Sequence, residues 1–197
     1  MGTSAIAAHA VLETYADHCD GHAAVLIACF GDPGLLALRE LAVVPVVGLA
    51  QASFEAAALR GRFAVVTGGA AWGPMLVRFA RLHQLDARLV GIHTVELTGA
   101  QIAAAPEQAL DALQVAAMRG VADGAQTIVL GGAALGGLAA RLQPRVPVPM
   151  LDNITLAAQA VASLVQGPYA ERALPAACGA MAGVGPALTA LFAGTTA

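Results

Sequence analysis

The sequence predicts an α/β protein: two similar lobes built from short parallel strands flanked by helices. Three observations carry this. Short aliphatic runs bounded by glycine or proline alternate along the chain with longer segments of helical periodicity. Most of these runs end in a glycine-bearing turn that leads into a helix, as βα units around a parallel sheet require. One strand–turn–helix stretch also has a faded copy. Setting Cys29 against Gly132, an offset of 103 (132 − 29), pairs Gly34 with Gly137 and Leu35 with Leu138. Val44-Pro45-Val46 then matches Val146-Pro147-Val148 at an offset of 102 (146 − 44).

In chain order, Ala5–Ala16 reads as a helix with Ser4 as N-cap. It runs into His18, Cys19, Asp20 and His22, which read either as metal ligands or as a polar helix end broken by Gly21. With no second cluster to complete a coordination sphere, the helix end is the simpler reading. Val25–Ala28 is a strand, followed by Cys29, an FGDPG turn and a helix with Leu35, Leu38 and Leu41 on one face. Asp32 is expected to cap this helix and Pro33 to occupy its first position. That would set Cys29 beside backbone amides and the positive end of a helix dipole, which favour a thiolate. The alternative is that Cys29 is a small buried hydrophobe.

Val43–Leu49 is a second short strand, with Pro45 at its start or edge, and Ser53–Leu59 is a helix closed by Gly61. Phe63–Thr67 forms a third strand. Thr67, Gly68 and Gly69 at its carboxyl end make either an anion-accepting turn or a plain tight connection, with Trp72 placed to wall a pocket. Met75–Leu85 is an amphipathic helix with Arg78, Arg81 and His83 in solvent. Ala87–Val95 is a strand containing His93, with Glu96 close by. Thr98–Ala122 carries a long helix with Pro106 and Glu107 at its start and Gly120 near its end. Thr127–Leu130 is a strand, and the turn after it holds Gly131, Ala133 and Gly136 as G-x-A-x-x-G, with Asp152 beyond the next strand. This is a loose form of the dinucleotide fingerprint, which glycine- and alanine-rich sequence also meets by chance.

Composition narrows the function classes. With 58% apolar and 12% charged residues, the chain offers little polar surface, so either subunit contacts forming a homo-oligomer or a deep interior is expected. A net charge of −3 and 4% aromatic residues provide neither a basic footprint nor stacking platforms for nucleic acid. Three scattered cysteines are not a disulfide framework. No basic segment followed by an apolar run opens the chain, so the cytoplasm is the expected compartment. Residues 173–197 carry no charge, but Pro175, Gly179, Gly183, Gly185, Pro186 and Gly194 interrupt them. They are expected to pack on a lobe or a neighbouring subunit rather than to span a membrane.

The segments ACFGDPGL, PVVGLAQAS, VVTGG and VLGGAALGGLA before VPVPMLDN together resemble the Asp/Glu/hydantoin racemase superfamily, most closely its hydantoin-racemase-like branch. The resemblance runs from about Ala5 to Leu164. It implies a single domain of two pseudo-symmetric lobes, about 1–60 with the C-terminal helical region and about 61–165, with the active-site cleft between them. It also implies cofactor-independent isomerase chemistry without metal or organic cofactor. One cysteine takes a proton from the carbon next to a carbonyl or carboxylate of a small hydantoin- or amino-acid-type substrate, and an opposing cysteine returns one to the other face. Carried onto this chain, Cys29 is the catalytic cysteine. Phe30, Gly31, Asp32, Thr67, Gly68, Gly132 and Ala133 are the residues expected around the substrate. Gly132 stands where the family has its second cysteine, and the family's N-terminal strand and Asn-Pro-Asn loop have no counterpart. A decarboxylase of the same fold, or a binding protein without catalysis, are the alternatives.

Overall fold

The computed structural model describes residues 2–167 and 182–193. Cys178 and much of the uncharged stretch 173–197 lie outside the described residues. The chain divides into two compact units, one of residues 1–27, 32–47 and 160–197, the other of residues 28–31 and 48–159. This partition differs from a break near residue 60, because residues 28–31 and 48–60 go with the larger sheet.

In the first unit, α1 (Gly2–His18) packs against α2 (Leu35–Leu41) and α9 (Pro186–Ala193). Strand β1 (Val25–Ile27) pairs with β2 (Val46–Gly48), and the Val25 N–H donates to the Pro45 carbonyl at 2.9 Å. The expected leucine face of α2 is the buried one, through Leu35, Leu38 and Leu41. Its start is not where the sequence suggested. Gly34, left-handed at φ 75°, occupies the N-cap, so the N-cap position is not Asp32 and Pro33 is not the first helical residue. Asp32 is itself left-handed (φ 48°) and buried, and its carbonyl accepts the Leu35 N–H at 3.2 Å. Cys29 thus precedes α2 by six positions (35 − 29), beyond the first turn where a helix dipole is felt.

The second unit is a parallel sheet in the order β4-β3-β5-β6. Its strands are β3 (Phe63–Gly68), β4 (Leu89–Val95), β5 (Thr127–Leu130) and β6 (Met150–Asp152). Strands β3 and β5 are buried along their whole length, which explains why they read as unbroken aliphatic runs: a central parallel strand is covered on both faces. On one face Ala64, Val66, Ile128 and Leu130 meet Leu110, Leu113 and Ala117 of α6 (Pro106–Ala122) and Leu138 and Leu142 of α7 (Leu138–Leu142). On the other, Phe54 of α3 (Leu49–Ala58) lies between Phe63 and Phe79 of α4 (Trp72–Leu82), at ring-centroid distances of 5.4 and 5.5 Å. The expected α/β class with parallel strands and flanking helices is the observed one.

Two further elements differ from expectation. The stretch 98–122 is two helices, α5 (Gly99–Ala104) and α6, because Pro106 lacks the N–H that would continue the first. His83 is half-buried against Phe79 at a centroid distance of 4.4 Å rather than solvated, whereas Arg78 and Arg81 are exposed. The chain leaves β6 through α8 (Asn153–Gln166). No helix among the described residues is long and apolar enough to cross a membrane.

Candidate active site

Strand order places the site. From β3 the chain turns through α4 to β4 on one side, and from β5 it turns through α7 to β6 on the other. Because α4 and α7 cover opposite faces of the sheet, the turns leaving the adjacent strands β3 and β5 diverge. A crevice opens outside their carboxyl ends, the place where open parallel sheets bind ligands. A cavity of about 200 Å³ lies there. Thr67 and Gly68 at the end of β3 line it, with Gly132 to Leu135 from the turn after β5, Gly99 at the start of α5, and residues 28–30. All the described lining belongs to the second unit.

Six of the residues singled out in the sequence come together here: Cys29, Phe30, Thr67, Gly68, Gly132 and Ala133. Trp72, expected as a wall, is one. Gly31 and Asp32 are not among the lining residues; Gly31 lies under Met75 and Trp72, and Asp32 is buried in the first unit. Cys29 is half-buried and is the single titratable side chain among the described residues that line the cavity. Thr67 follows Phe63 and Val65 on one face of β3 by the two-residue period and is 5% exposed. Gly132 has φ 134° and ψ 134°, a region that favours glycine. A Cβ built on it would stand 3.9 Å from the Thr67 hydroxyl and only 2.8 Å from Leu135 Cδ1. After Gly132 comes a 3-10 turn over Ala133–Leu135, whose first amides have no acceptor inside the turn itself.

The repeat seen in the sequence is also a repeat of conformation. Gly34 and Gly137, paired at the same offset, are both left-handed N-caps, and Leu35 and Leu138 each open a short helix. Phe30 holds the cysteine turn in place through its ring, which is 4% exposed and packs on Phe54 at 5.9 Å and across Gly131. A Cβ at Gly131 would overlap that ring, so the ring would have to shift from its packing on Phe54. Gly131→Ala is therefore expected to cost about 1–3 kcal/mol, the usual penalty of overpacking. A urea midpoint unchanged from wild type would show that the ring is free to move.

Residues that sequence reasoning did not place in the site are Ala28, Gly99, Ala134 and Leu135. The available signal for Gly99 was Thr98-x-x-Gln101. This is a capping box, in which the Gln101 N–H donates to Thr98 Oγ1 and the Thr98 N–H to Gln101 Oε1, and it fixes the start of α5. His93 and Asp152, the titratable residues the sequence places on β4 and beyond β5, are not in the lining. His93 Nε2 lies 3.1 Å from Asp123 Oδ2. Asp152 accepts the Gly137 N–H at 2.6 Å on one oxygen and the Thr155 N–H and hydroxyl on the other, which makes it a structural cap. Among the described residues no group of three or more His, Cys, Asp or Glu side chains is arranged to hold a metal ion.

The second unit is thus a parallel α/β unit that brings a thiol, a hydroxyl and a glycine-rich turn together at its switch point. The chain belongs to the Asp/Glu/Hydantoin racemase family, whose model matches residues 2–161. It is 32% identical over 152 residues to a hydantoin racemase of Rhizobium meliloti, an alignment covering 75% of this chain and 62% of that protein. The chain thus spans about three-fifths of the length of that curated relative. Among solved structures it is similar to an allantoin racemase from Klebsiella pneumoniae (TM-score 0.76, 33% identity, 82% of this chain and 67% of that one). An allantoin racemase from Pseudomonas fluorescens is likewise similar (TM-score 0.78, 28% identity, 83% of this chain and 70% of that one).

Proposed function

We propose that this protein is a cofactor-independent isomerase of the racemase type, acting on a small cyclic carbonyl compound of the hydantoin kind through proton transfer at Cys29. The observation that carries the reading is that Cys29 shares a cavity with Thr67 and the turn after β5, in a chain whose relatives are named hydantoin and allantoin racemases. A carbon-bound proton next to a carbonyl leaves when a base lies within reach and the developing enolate oxygen meets fixed donors. Cys29 as thiolate takes the proton and becomes the thiol. The Thr67 hydroxyl and the first amides of the 133–135 turn stand as donors to the enolate oxygen, and Phe30 and Gly68 complete the wall. The thiol then returns a proton to the face it was taken from. On the other face Gly132 supplies no thiol, so inversion has to draw its proton from water.

We assign the protein to the cytoplasm as a homo-oligomer. The assembly is supported by large apolar side chains left in solvent, among them Leu59 at 90% and Leu82 at 65% exposure. The test of function is proton NMR of 5-substituted hydantoins in D₂O with the purified protein. Loss of the C5–H signal is the expected result. Carbon dioxide release from an arylmalonate without exchange of hydantoins would point to a lyase. No exchange with hydantoins, amino acids or dicarboxylates would leave a binding protein.

A further inference from the structure

We propose that Trp72 sets the specificity of this site, and that its indole forms a seat for an apolar, preferably aromatic, substituent on the reacting carbon. The substrates it selects are hydantoins with aryl or alkyl side chains at C5 rather than the polar ureido side chain of allantoin. The inference rests on the reading of the cavity as a hydantoin-type site and goes beyond it to the side chain of the substrate.

The placement of the indole carries the argument. Trp72 opens α4 at the rim of the cavity and is 39% exposed, so part of its ring is available to a ligand. Two glycines from different turns make room for it. A Cβ at Gly69 would stand 3.2 Å from the indole Cδ1, and one at Gly31 would stand 3.3 Å from Cζ3. Both glycines have positive φ, 82° and 137°, so neither position readily accepts a side chain. The ring is therefore seated over two bare stretches of backbone, and Met75 also lies against Gly31. An indole held in this way on an otherwise half-open surface is a preformed apolar wall. Aromatic faces gain from offset or edge contacts with a second ring beyond the area they bury.

The rest of the lining points the same way. Phe30, Leu135 and the alanines of both turns are apolar, and the polar groups are the Cys29 thiol, the Thr67 hydroxyl, the Trp72 indole N–H and backbone amides. Among the described lining residues no charged or amide side chain stands ready to pair with the donors and acceptors of a ureido group. Burying such a group unpaired against the indole is penalised. An alkyl or aryl group loses nothing there.

Trp72 is the one tryptophan of the chain, so its emission reports on this wall directly. The experiment titrates the wild-type protein with 5-benzylhydantoin and with allantoin, reading tryptophan fluorescence. It then reads binding in Trp72→Phe and Trp72→Ala as protection of Cys29 from iodoacetamide, by mass spectrometry. We expect 5-benzylhydantoin to alter the emission at a concentration about 10–100-fold below allantoin, the range that apolar pocket contacts discriminate. Trp72→Phe keeps the preference and Trp72→Ala loses it. No change in emission with 5-benzylhydantoin, equal response to the two compounds, or a preference retained in Trp72→Ala would each overturn the proposal. Neither readout needs turnover. Selective binding without C5–H exchange would sink the isomerase reading and leave this one standing, whereas equal handling of both compounds by an active enzyme would do the reverse.

Discussion

Cys29→Ala lowers the rate of C5–H exchange by about 10²–10⁴-fold, the usual contribution of a positioned acid–base group, and leaves the fold intact. The first half of this expectation follows from the lining of the cavity, where Cys29 is the single titratable side chain among the described residues. The second follows from its half-buried position outside the aromatic core. Cys29→Ser serves as the second variant, since it keeps the size and hydrogen-bonding capacity of the side chain but gives a far weaker base. Both variants should retain the fluorescence response of Trp72 to a hydantoin, which separates lost chemistry from lost binding. Exchange at wild-type rate in either variant would show that the base lies elsewhere.

Phe54→Ala is expected to destabilise the protein by about 3–5 kcal/mol, the range for removing a buried aromatic ring. Phe54 is fully buried and its ring meets Phe30, Phe63 and Phe79 at centroid distances of 5.9, 5.4 and 5.5 Å. Truncation leaves a cavity bordered by rings that cannot all close in. It also frees Phe30 next to Cys29, so exchange should fall along with stability. Arg81→Ala is the control: an exposed arginine should shift stability by no more than about 0.5 kcal/mol. Urea unfolding of both variants provides the comparison, and a small shift for Phe54→Ala would mean that the aromatic cluster does not hold the sheet to α3 and α4.

The strands were the most legible part of the sequence. Phe63–Thr67 and Thr127–Leu130 are unbroken apolar runs because both faces of a central parallel strand are covered, and glycines mark where they end. The turns that hold Cys29, Thr67 and Gly132 were legible for the same reason: they sit at strand ends, where glycine lets backbone approach a ligand. The start of α2 was not. Asp-Pro is a strong local signal for a helix start, but a left-handed Gly34 delays the helix to Leu35, and nothing in the composition of FGDPG distinguishes the two. Nor could local pattern show that residues 28–31 belong with the larger sheet. That depends on Phe30 reaching Phe54, a contact between segments 24 positions apart (54 − 30). Gly99 was hidden because a lone glycine in an alanine-rich stretch reads as a helix boundary, and it enters the cavity only through the capping box that fixes α5.

The central claim is that the site has a thiol on one side and glycine on the other, and the ratio of exchange to inversion tests it most directly. Each enantiomer of a 5-substituted hydantoin is incubated with the protein in D₂O, and deuterium uptake at C5 and optical rotation are followed in the same sample. For the enantiomer whose C5–H faces Cys29, deuterium should enter several times faster than rotation is lost, because the proton returns to the face it left. Gly132→Cys is best made together with Leu135→Ala, since a Cβ at 132 would meet Leu135 Cδ1 at 2.8 Å. If the left-handed backbone at 132 accepts the cysteine, inversion should rise toward exchange in that variant. Wild-type protein that inverts both enantiomers as fast as it exchanges them would contradict the account, because a second acid would then have to serve the face that Gly132 leaves bare.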